Sequence, residues 1–502
     1  MAKKKSAFDR VPQRATGVAD ISILNAQALQ LLQQGQFQAG ADVLRQSLTI
    51  NPQQPEIQYN LGFASQQSGQ WTLAIAAFSQ AIKLTAQDAD AWMARGHVYA
   101  TQEQFLEAEQ DFAKAVKLAP YNADAWNNYG NALLALDREP EALDAYDHAL
   151  GLRPTLIQAL FNKGKALAAL ERYAEAAKVY EAALAINPRS EEAKWHLSWA
   201  KLVLGDFAAG WSLFESRWTV AELGNARRYP QLPQWLGQEP IAGKSLLLYH
   251  EQGLGDTLQF CRYIPLLLAM GAKVSLAVQA PLVDLLSQQW PGVMVAESFA
   301  DVSGFDLATP LMSLPLALQT SLETVPNKVP YIRIPTSVAP LKTERPQVGL
   351  VWSGSTLHKN DKNRSMPLET LAPLLALPFD WVCLQPEIRE TDLTWLSSNP
   401  SVSMTRPALH DFVATAQLID RLDLVITVDT SVAHLAGAMG KPVWILLPTG
   451  ADYRWLLERD DSPWYPTARL FRQAARGDWA GVVSRVVEAL KMFAAPRTGT
   501  SK

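Results

Sequence analysis

Three stretches of this chain combine residue types that do chemistry. The first is His250-Glu-Gln-Gly-Leu-Gly-Asp256. An apolar run leads into it and a helical pattern follows. Gly253 and Gly255 would let backbone N–H groups approach an anion at a helix start, where the backbone potential is positive. Asp256 either caps that helix or acts as a general base, because a carboxylate accepts a hydroxyl proton. His250 is the competing base. The glycines do not form the G-x-G-x-x-G dinucleotide pattern, because Asp256, Thr257 and Leu258 follow Gly255.

The second stretch is Asp429-Thr-Ser-Val-Ala-His434. An apolar strand ends in Asp429 and a helix starts two residues later. Thr430 and Ser431 offer hydroxyls and N–H groups to a phosphate, and His434 adds a donor from the first turn. The third runs from Trp352-Ser353 to Arg364-Ser365, a polar loop dense in cations: His358, Lys359, Lys362 and Arg364. Such a loop suits a departing diphosphate, whose charge has to be neutralised. No Asp-x-Asp occurs in 241–502, and the copy at Asp88-Ala-Asp90 lies at a repeat turn. A metal-bridged nucleotide is therefore not favoured, no metal site is expected, and protein cations would do that work. Asp452-Tyr-Arg454-Trp455 and Asp461-Ser-Pro-Trp464-Tyr-Pro466 either stack on a base or sugar or pack their loop. Gln259 and Arg262, one helical turn apart, would face the same cleft as Asp256.

The elements around these stretches alternate. Strands are predicted over 245–249, 273–278, 293–297 and 305–308, with helices over 257–270 and 281–289. After a Pro-rich linker, 325–346, strands are predicted over 347–353, 381–385, 424–428 and 441–447. Helices are predicted over 368–375, 431–439 and 479–493. The alternation points to two doubly wound parallel lobes, 244–335 and 345–495, behind a bridge over 221–243. A ligand cleft would lie between the carboxyl ends of the two sheets.

The first half has a different logic. Pro120, Pro154 and Pro188 are 34 residues apart, and Pro52 lies on the same period with Ala86 at the intervening place. Five units run from 21 to 188, and a sixth decays after Glu191. Gly62, Gly96, Gly130 and Gly164 permit close helix approach. So do Ala74, Ala108, Ala142 and Ala176. Phe78, Phe112, Tyr146 and Tyr180 fill the space between units, and proline closes each second helix. An α-solenoid over 21–220 follows, since no single unit buries its own apolar face. These positions resemble the tetratricopeptide repeat family. The resemblance implies a concave surface for an extended peptide or a protein. Asn60, Asn127, Asn128 and Asn162, on first helices, either clamp such a backbone or belong to a solvated face.

The 502 residues suggest two to four domains. With 48% hydrophobic and 19% charged residues and a net charge of −4, the chain is neither disordered, collagen-like nor a disulfide scaffold. Nothing in the charge calls for a nucleic-acid partner. Cys261 and Cys383, the only cysteines, exclude a four-cysteine zinc site and fit a reducing compartment. Lys3, Lys4 and Lys5 have no apolar stretch behind them, so no secretory signal is expected. The apolar run 264–272 is far short of the roughly 20 residues of a membrane span. The expected location is cytoplasmic.

Together the three stretches resemble the ADP-heptose:lipopolysaccharide heptosyltransferase family over about 245–490. The resemblance implies a GT-B fold working without a dedicated metal, with Gly255-Asp256 carrying the base. The family's D-[ST]-G-x-x-H looks like Asp429-Thr430-Ser431-Val432-Ala433-His434, with Ser431 for the glycine. Its Lys-x-x-Pro is matched by Arg364-Ser-Met-Pro367, with arginine for lysine. The layout is similar to protein O-GlcNAc transferases, whose catalytic signature is absent here. The expectation is an inverting glycosyltransferase that takes a nucleotide-sugar as substrate and needs no cofactor. Arg364, Lys362, Ser353, Asp429, Thr430, Ser431 and His434 would hold the donor, and the repeats would recruit a protein acceptor or partner. The rivals are a scaffold with a degenerate transferase-like domain, and an enzyme acting on lipid-linked or lipopolysaccharide glycans.

Overall fold

A computed structural model describes residues 14–220, 223–224, 226–334, 344–356, 360–450 and 452–493. The chain divides into two compact units, Met1–Pro188 and Arg189–Lys502.

The first unit is a tetratricopeptide-repeat array of five helix pairs. They are α1 (Arg14–Gln33) with α2 (Phe37–Ile50), α3 (Pro55–Gln67) with α4 (Trp71–Leu84), and α5 (Ala89–Thr101) with α6 (Phe105–Leu118). α7 (Ala123–Ala135) with α8 (Glu139–Leu152) and α9 (Ile157–Ala169) with α10 (Tyr173–Ile186) complete it. α2, α6, α8 and α10 each end two residues before a period proline. A Cβ on Gly62, Gly96, Gly130 or Gly164 would come within 2.4–2.8 Å of the ring of Phe78, Phe112, Tyr146 or Tyr180. The aromatics thus pack first onto their own unit's glycine, and Phe78 also joins Val98 of the next unit. Each pair turns through a left-handed residue: Gly35, Gly69, Glu103, Asp137 and Glu171, with φ from 55° to 73°. The next N–H then donates five residues back, as in Gln70 to Ser65 (2.8 Å) and Arg172 to Leu167 (2.9 Å). That closure satisfies helix-end carbonyls. Along the first helices Asn162 Nδ2 donates to Asn127 Oδ1 (3.1 Å), and Asn128 Nδ2 lies 3.0 Å from His97 Nε2.

The second unit opens with a sixth pair of the same form, α11 (Glu191–Val203) and α12 (Phe207–Phe214), turning through Gly205 at φ 81°. Its aromatic face is buried against the α/β part of the same unit. Trp211 meets Phe260 and Tyr453 edge-on at 6.0 and 5.3 Å, and Phe207 lies 5.8 Å from Trp464.

Two parallel sheets come next. The first has β1 (Ser245–Tyr249), β2 (Lys273–Ala277), β3 (Met294–Ala296) and β4 (Leu307–Pro310) in the order β3-β2-β1-β4. Its helices are α13 (Leu254–Phe260), α14 (Ile264–Ala269), α15 (Ala280–Leu286) and α16 (Leu314–Ala317). The second sheet has β5 (Gln347–Val351), β6 (Asp380–Cys383), β7 (Met404–Thr405), β8 (Leu424–Val428), β9 (Val443–Leu447) and β10 (Ala468–Arg472). Their order is β10-β9-β8-β5-β6-β7. Its helices are α17 (Asp361–Arg364), α18 (Ala372–Leu375), α19 (Glu390–Ser398), α20 (Phe412–Arg421), α21 (Ser431–Ala438) and α22 (Trp479–Phe493). All strand pairs are parallel, and β8 and β9 are buried throughout, as strands covered on both faces must be.

Several expectations are corrected. The single helix over 257–270 is α13, a 3-10 turn at Cys261–Tyr263 and α14, with Pro265 in the first turn of α14. Proline there supplies no N–H to continue the preceding helix. The helix over 368–375 is likewise a 3-10 turn followed by α18, with Pro373 at the join. α16, α17, α19, α20, β7 and β10 have no counterpart among the predicted elements. Of the Pro-rich linker, 335–343 lies outside the described residues. Its preceding flank is packed rather than loose, with Val325 and Ile332 buried and Tyr331 N–H donating to Ala438 O (3.0 Å).

Candidate functional site

β1 lies between β2 and β4, and β5 lies between β6 and β8. These are the places where each sheet's winding reverses, and the crevice beyond the strand ends there is where such folds bind ligands. All three stretches singled out in the sequence emerge at these points: 250–256 after β1, 352–364 after β5 and 429–434 after β8.

The two switch points meet through Gly255 and His434. A Cβ on Gly255 would sit 2.6 Å from His434 Cδ2, so only glycine allows this approach. His434 is buried at 5% exposure. Its Nδ1 is 2.8 Å from the Tyr465 hydroxyl, its ring stacks on Trp455 at 5.5 Å, and its Nε2 is 3.9 Å from Asp429 Oδ1. Burial, reinforced by Arg454 and Arg262, holds its pKa well below the usual histidine value, so the ring is neutral. It therefore serves as packing and as a neutral hydrogen-bonding group, not as a cation.

Asp256 occupies the first turn of α13, where its Oδ2 accepts the Gly253 N–H at 2.8 Å. That N–H is therefore satisfied within its own loop. The other carboxylate oxygen, Oδ1, is ion-paired with Arg454 from the loop after β9. Burial raises the Asp256 pKa, against the opposing pull of Arg454. Arg454 is held on two further sides: its Nε donates to Gln259 Oε1 and its Nη1 to Asp452 Oδ2, both at 2.6 Å. Asp429 stands near the same group. Burial first and Asp452 second push its carboxyl up to about 6 from an ordinary 3.8.

Around the second switch point, Arg364 donates to Asp429 O (3.0 Å) and its guanidinium lies under Gly354, bridging the loops after β5 and β8. Thr430 precedes α21, with its hydroxyl 3.1 Å from Thr427 Oγ1, and Ser431 opens the helix half-buried. Ser353 is inside the protein. Its N–H donates to Gln385 Oε1 (3.1 Å) and its hydroxyl accepts from Gln385 Nε2 (2.6 Å). Lys362 is exposed on α17, and His358 and Lys359 lie outside the described residues. His250 points elsewhere: its Nε2 meets Arg228, and burial first, then Arg228, lowers its pKa. The structure thus brings together Asp256, Asp429 and His434, with Arg364 reaching the Asp429 carbonyl, and leaves His250 with Arg228 and Lys362 exposed on α17.

Sequence reasoning missed the residues that hold these loops. Glu251 is 7% exposed and takes a two-pronged contact from Arg217, which is fully buried (2.7 and 3.0 Å). Arg217 also reaches Glu215 (2.7 Å) and Ser313 (2.7 Å). Gln385 fixes Trp352 and Ser353 backbones, while Asp392 accepts from Trp352 Nε1 (2.8 Å) and Leu368 N–H (2.9 Å). The Tyr453, Trp455, Trp464 and Tyr465 side chains are fully buried, so they pack the loop instead of offering a stacking platform. A cavity of about 500 Å³ beside Val203, Leu204, residues 456–459 and Asp461 touches none of the site residues. Among the described residues no group of three His, Cys, Asp or Glu side chains could hold a metal, and no helix is long and apolar enough to cross a membrane.

Family models match parts of both units. Tetratricopeptide-repeat family models match residues 31–98, 93–157 and 157–190. The model for glycosyltransferase family 9 (heptosyltransferase) matches residues 410–447, which run from before α20 to the end of β9 and include Asp429, Thr430, Ser431 and His434. Protein FlbA of Caulobacter vibrioides is 30% identical over 326 residues, covering 59% of this chain and 54% of FlbA. The chain thus spans about half the length of that curated relative. Among solved structures, MamA is 20% identical with a TM-score of 0.33, covering 34% of this chain and 93% of its own. PilF of Pseudomonas aeruginosa is 17% identical with a TM-score of 0.36, covering 41% and 94%.

Proposed function

We propose that this protein is a glycosyltransferase of the GT-B type that moves a sugar from a nucleotide-sugar to an acceptor hydroxyl. The observation that carries the reading is the meeting of two switch points, with a carboxylate on one and the Asp429–His434 segment on the other. That segment lies inside the match to the glycosyltransferase family 9 model.

In this reading Asp256 accepts the acceptor's hydroxyl proton as its oxygen bonds to the anomeric carbon. The bond from that carbon to the diphosphate breaks, and the nucleoside diphosphate leaves with the electron pair. A single displacement inverts the anomeric centre. Arg364 and the Thr430–Ser431 helix start receive the leaving charge, in place of a metal. The array presents a protein acceptor or partner.

The scaffold reading rests on a specific observation too: Asp256 is already satisfied by Gly253 and Arg454. Calorimetric titration with ADP, UDP, GDP, CMP and their sugar conjugates separates the two. Arg364→Gln is the control to use, since His434→Ala would open a cavity between the lobes. Micromolar binding of one nucleotide, lost in Arg364→Gln, supports transfer. No binding at millimolar ligand to folded protein supports the scaffold.

A further inference from the structure

We propose that Arg454 is shared between Asp256 and the diphosphate of the donor, so that donor binding is what frees the base. This inference rests on the transferase reading and concerns the order of events in that site.

The observations are geometric. Arg454 is 8% exposed, belongs to the second sheet's loops, and bonds across the lobe boundary to Asp256, which is 18% exposed. It lies within electrostatic reach of Asp429, the residue that follows β8 and precedes the Thr430–Ser431 helix start. Three carboxylates, Asp256, Asp429 and Asp452, compete for its field. Gln259 holds only its Nε, leaving the two Nη groups to Asp452 and Asp256. A guanidinium presents its donors as a planar fork and takes a phosphate on the same edge with which it takes a carboxylate. A diphosphate arriving at Arg364 and the start of α21 therefore competes with Asp256 for Arg454.

The exchange has a direction. An ion-paired carboxylate is a poor base, because its partner stabilises the ionised form. When Arg454 turns to the diphosphate, Asp256 keeps its Gly253 hydrogen bond and stays in place, but loses the opposing charge and becomes more basic. An acceptor that enters before the donor finds a neutralised carboxylate. An acceptor that enters after it finds a base. Arg454 is in this sense a positioning residue for Asp256 and a binding residue for the donor.

Inorganic pyrophosphate is the probe, titrated calorimetrically into the full chain over a pH series and in two buffers of different ionisation enthalpy. Removing the competitor must help the anion, so Asp256→Asn should bind pyrophosphate about tenfold more tightly than the parent. The carbonyl oxygen of the introduced amide can still accept from the Gly253 N–H, so the loop is kept. The parent should take up more protons on binding than Asp256→Asn does, because only the parent frees a carboxylate. Arg454→Lys, which keeps the charge and loses the fork, should bind more weakly and take up fewer protons than the parent. A purely structural Arg454 predicts that Arg454→Lys binds pyrophosphate and takes up protons as the parent does, any gain in Asp256→Asn then being the loss of a nearby negative charge alone. That result overturns the inference while leaving a donor site in place. Failure of the parent to bind pyrophosphate at all removes the donor site, and the inference with it.

Discussion

Each of the two units is stabilised by a different means. The array repeats two devices: a glycine beneath an aromatic ring in four of its five pairs, and a turn closed through a left-handed residue in all five. The second unit relies on buried charges that occur once each, such as Arg217 with Glu251 and Arg454 with Asp256. A repeated device spreads its cost and its failure over neighbours. A single buried charge concentrates both, because a partner left alone in the interior is far more costly than the pair is favourable.

The sharpest way to break this contrast is Arg217→Ala. It strands Glu251 and Glu215 beside Ser313, and should destabilise the second unit by about 3–5 kcal/mol. Glu251→Gln in the same chain should recover part of that loss; urea midpoints of the single and double variants measure both. In the array, Gly164→Ala gains about 1 kcal/mol of helix propensity, yet its methyl would sit 2.4 Å from Tyr180 Cε1. Overpacking costs about 1–3 kcal/mol, so a net loss of up to about 2 kcal/mol is expected, with hydrogen exchange quickening chiefly in α9 and α10.

Protons test the second unit more gently. The Asp429 carboxyl is raised to about 6, so ionising it opposes folding. The penalty is full above that value and disappears as the pH falls toward 3.8, which means stability rises on acidification across this window. Asp429→Asn should therefore stabilise the protein at pH 7.5 by on the order of 1–2 kcal/mol and change nothing near pH 4. Thermal melts at the two pH values decide it. The smallest effect returns to the array. Glu171 turns at φ 59° where Gly35 and Gly69 stand in other repeats. Glu171→Gly should add up to about 1 kcal/mol by relieving left-handed strain, and equal or lower stability in calorimetry would count against the shared turn.

The same contrast governs what could be read in the sequence. The array was legible because each contact recurs at a fixed interval: the prolines, glycines and aromatics report one geometry several times. The strands leading to Asp256 and Asp429 were legible because buried parallel strands are continuous apolar runs. α20 does carry a start signal, since Asp411 precedes Phe412 and its Oδ1 accepts the Ala414 N–H at 2.7 Å. β10 is harder: Arg469 and Arg472 flank its apolar residues, as charges do on an edge strand. Arg217 and Gln385 could not be found this way, and Arg454, singled out for stacking or loop packing, could not be joined to Asp256. Arg454 is 198 residues from Asp256, and no local pattern reports a pair formed once at that separation. The aromatics beside Arg454 were visible, but whether they faced solvent or each other depends on packing that only the fold specifies.

Arg262 carries one more consequence. From the first lobe it donates to Trp464 O (2.6 Å) and Tyr331 Oη (3.0 Å), with its guanidinium against the Tyr465 ring. Parting the lobes would strip this buried cation of the Trp464 carbonyl and the Tyr465 ring at once, so separation is a rare event and not continuous breathing. Any molecule whose seat lies behind that contact must wait for it. In stopped-flow mixing its observed association rate should stop rising with concentration, at a ceiling set by the protein alone.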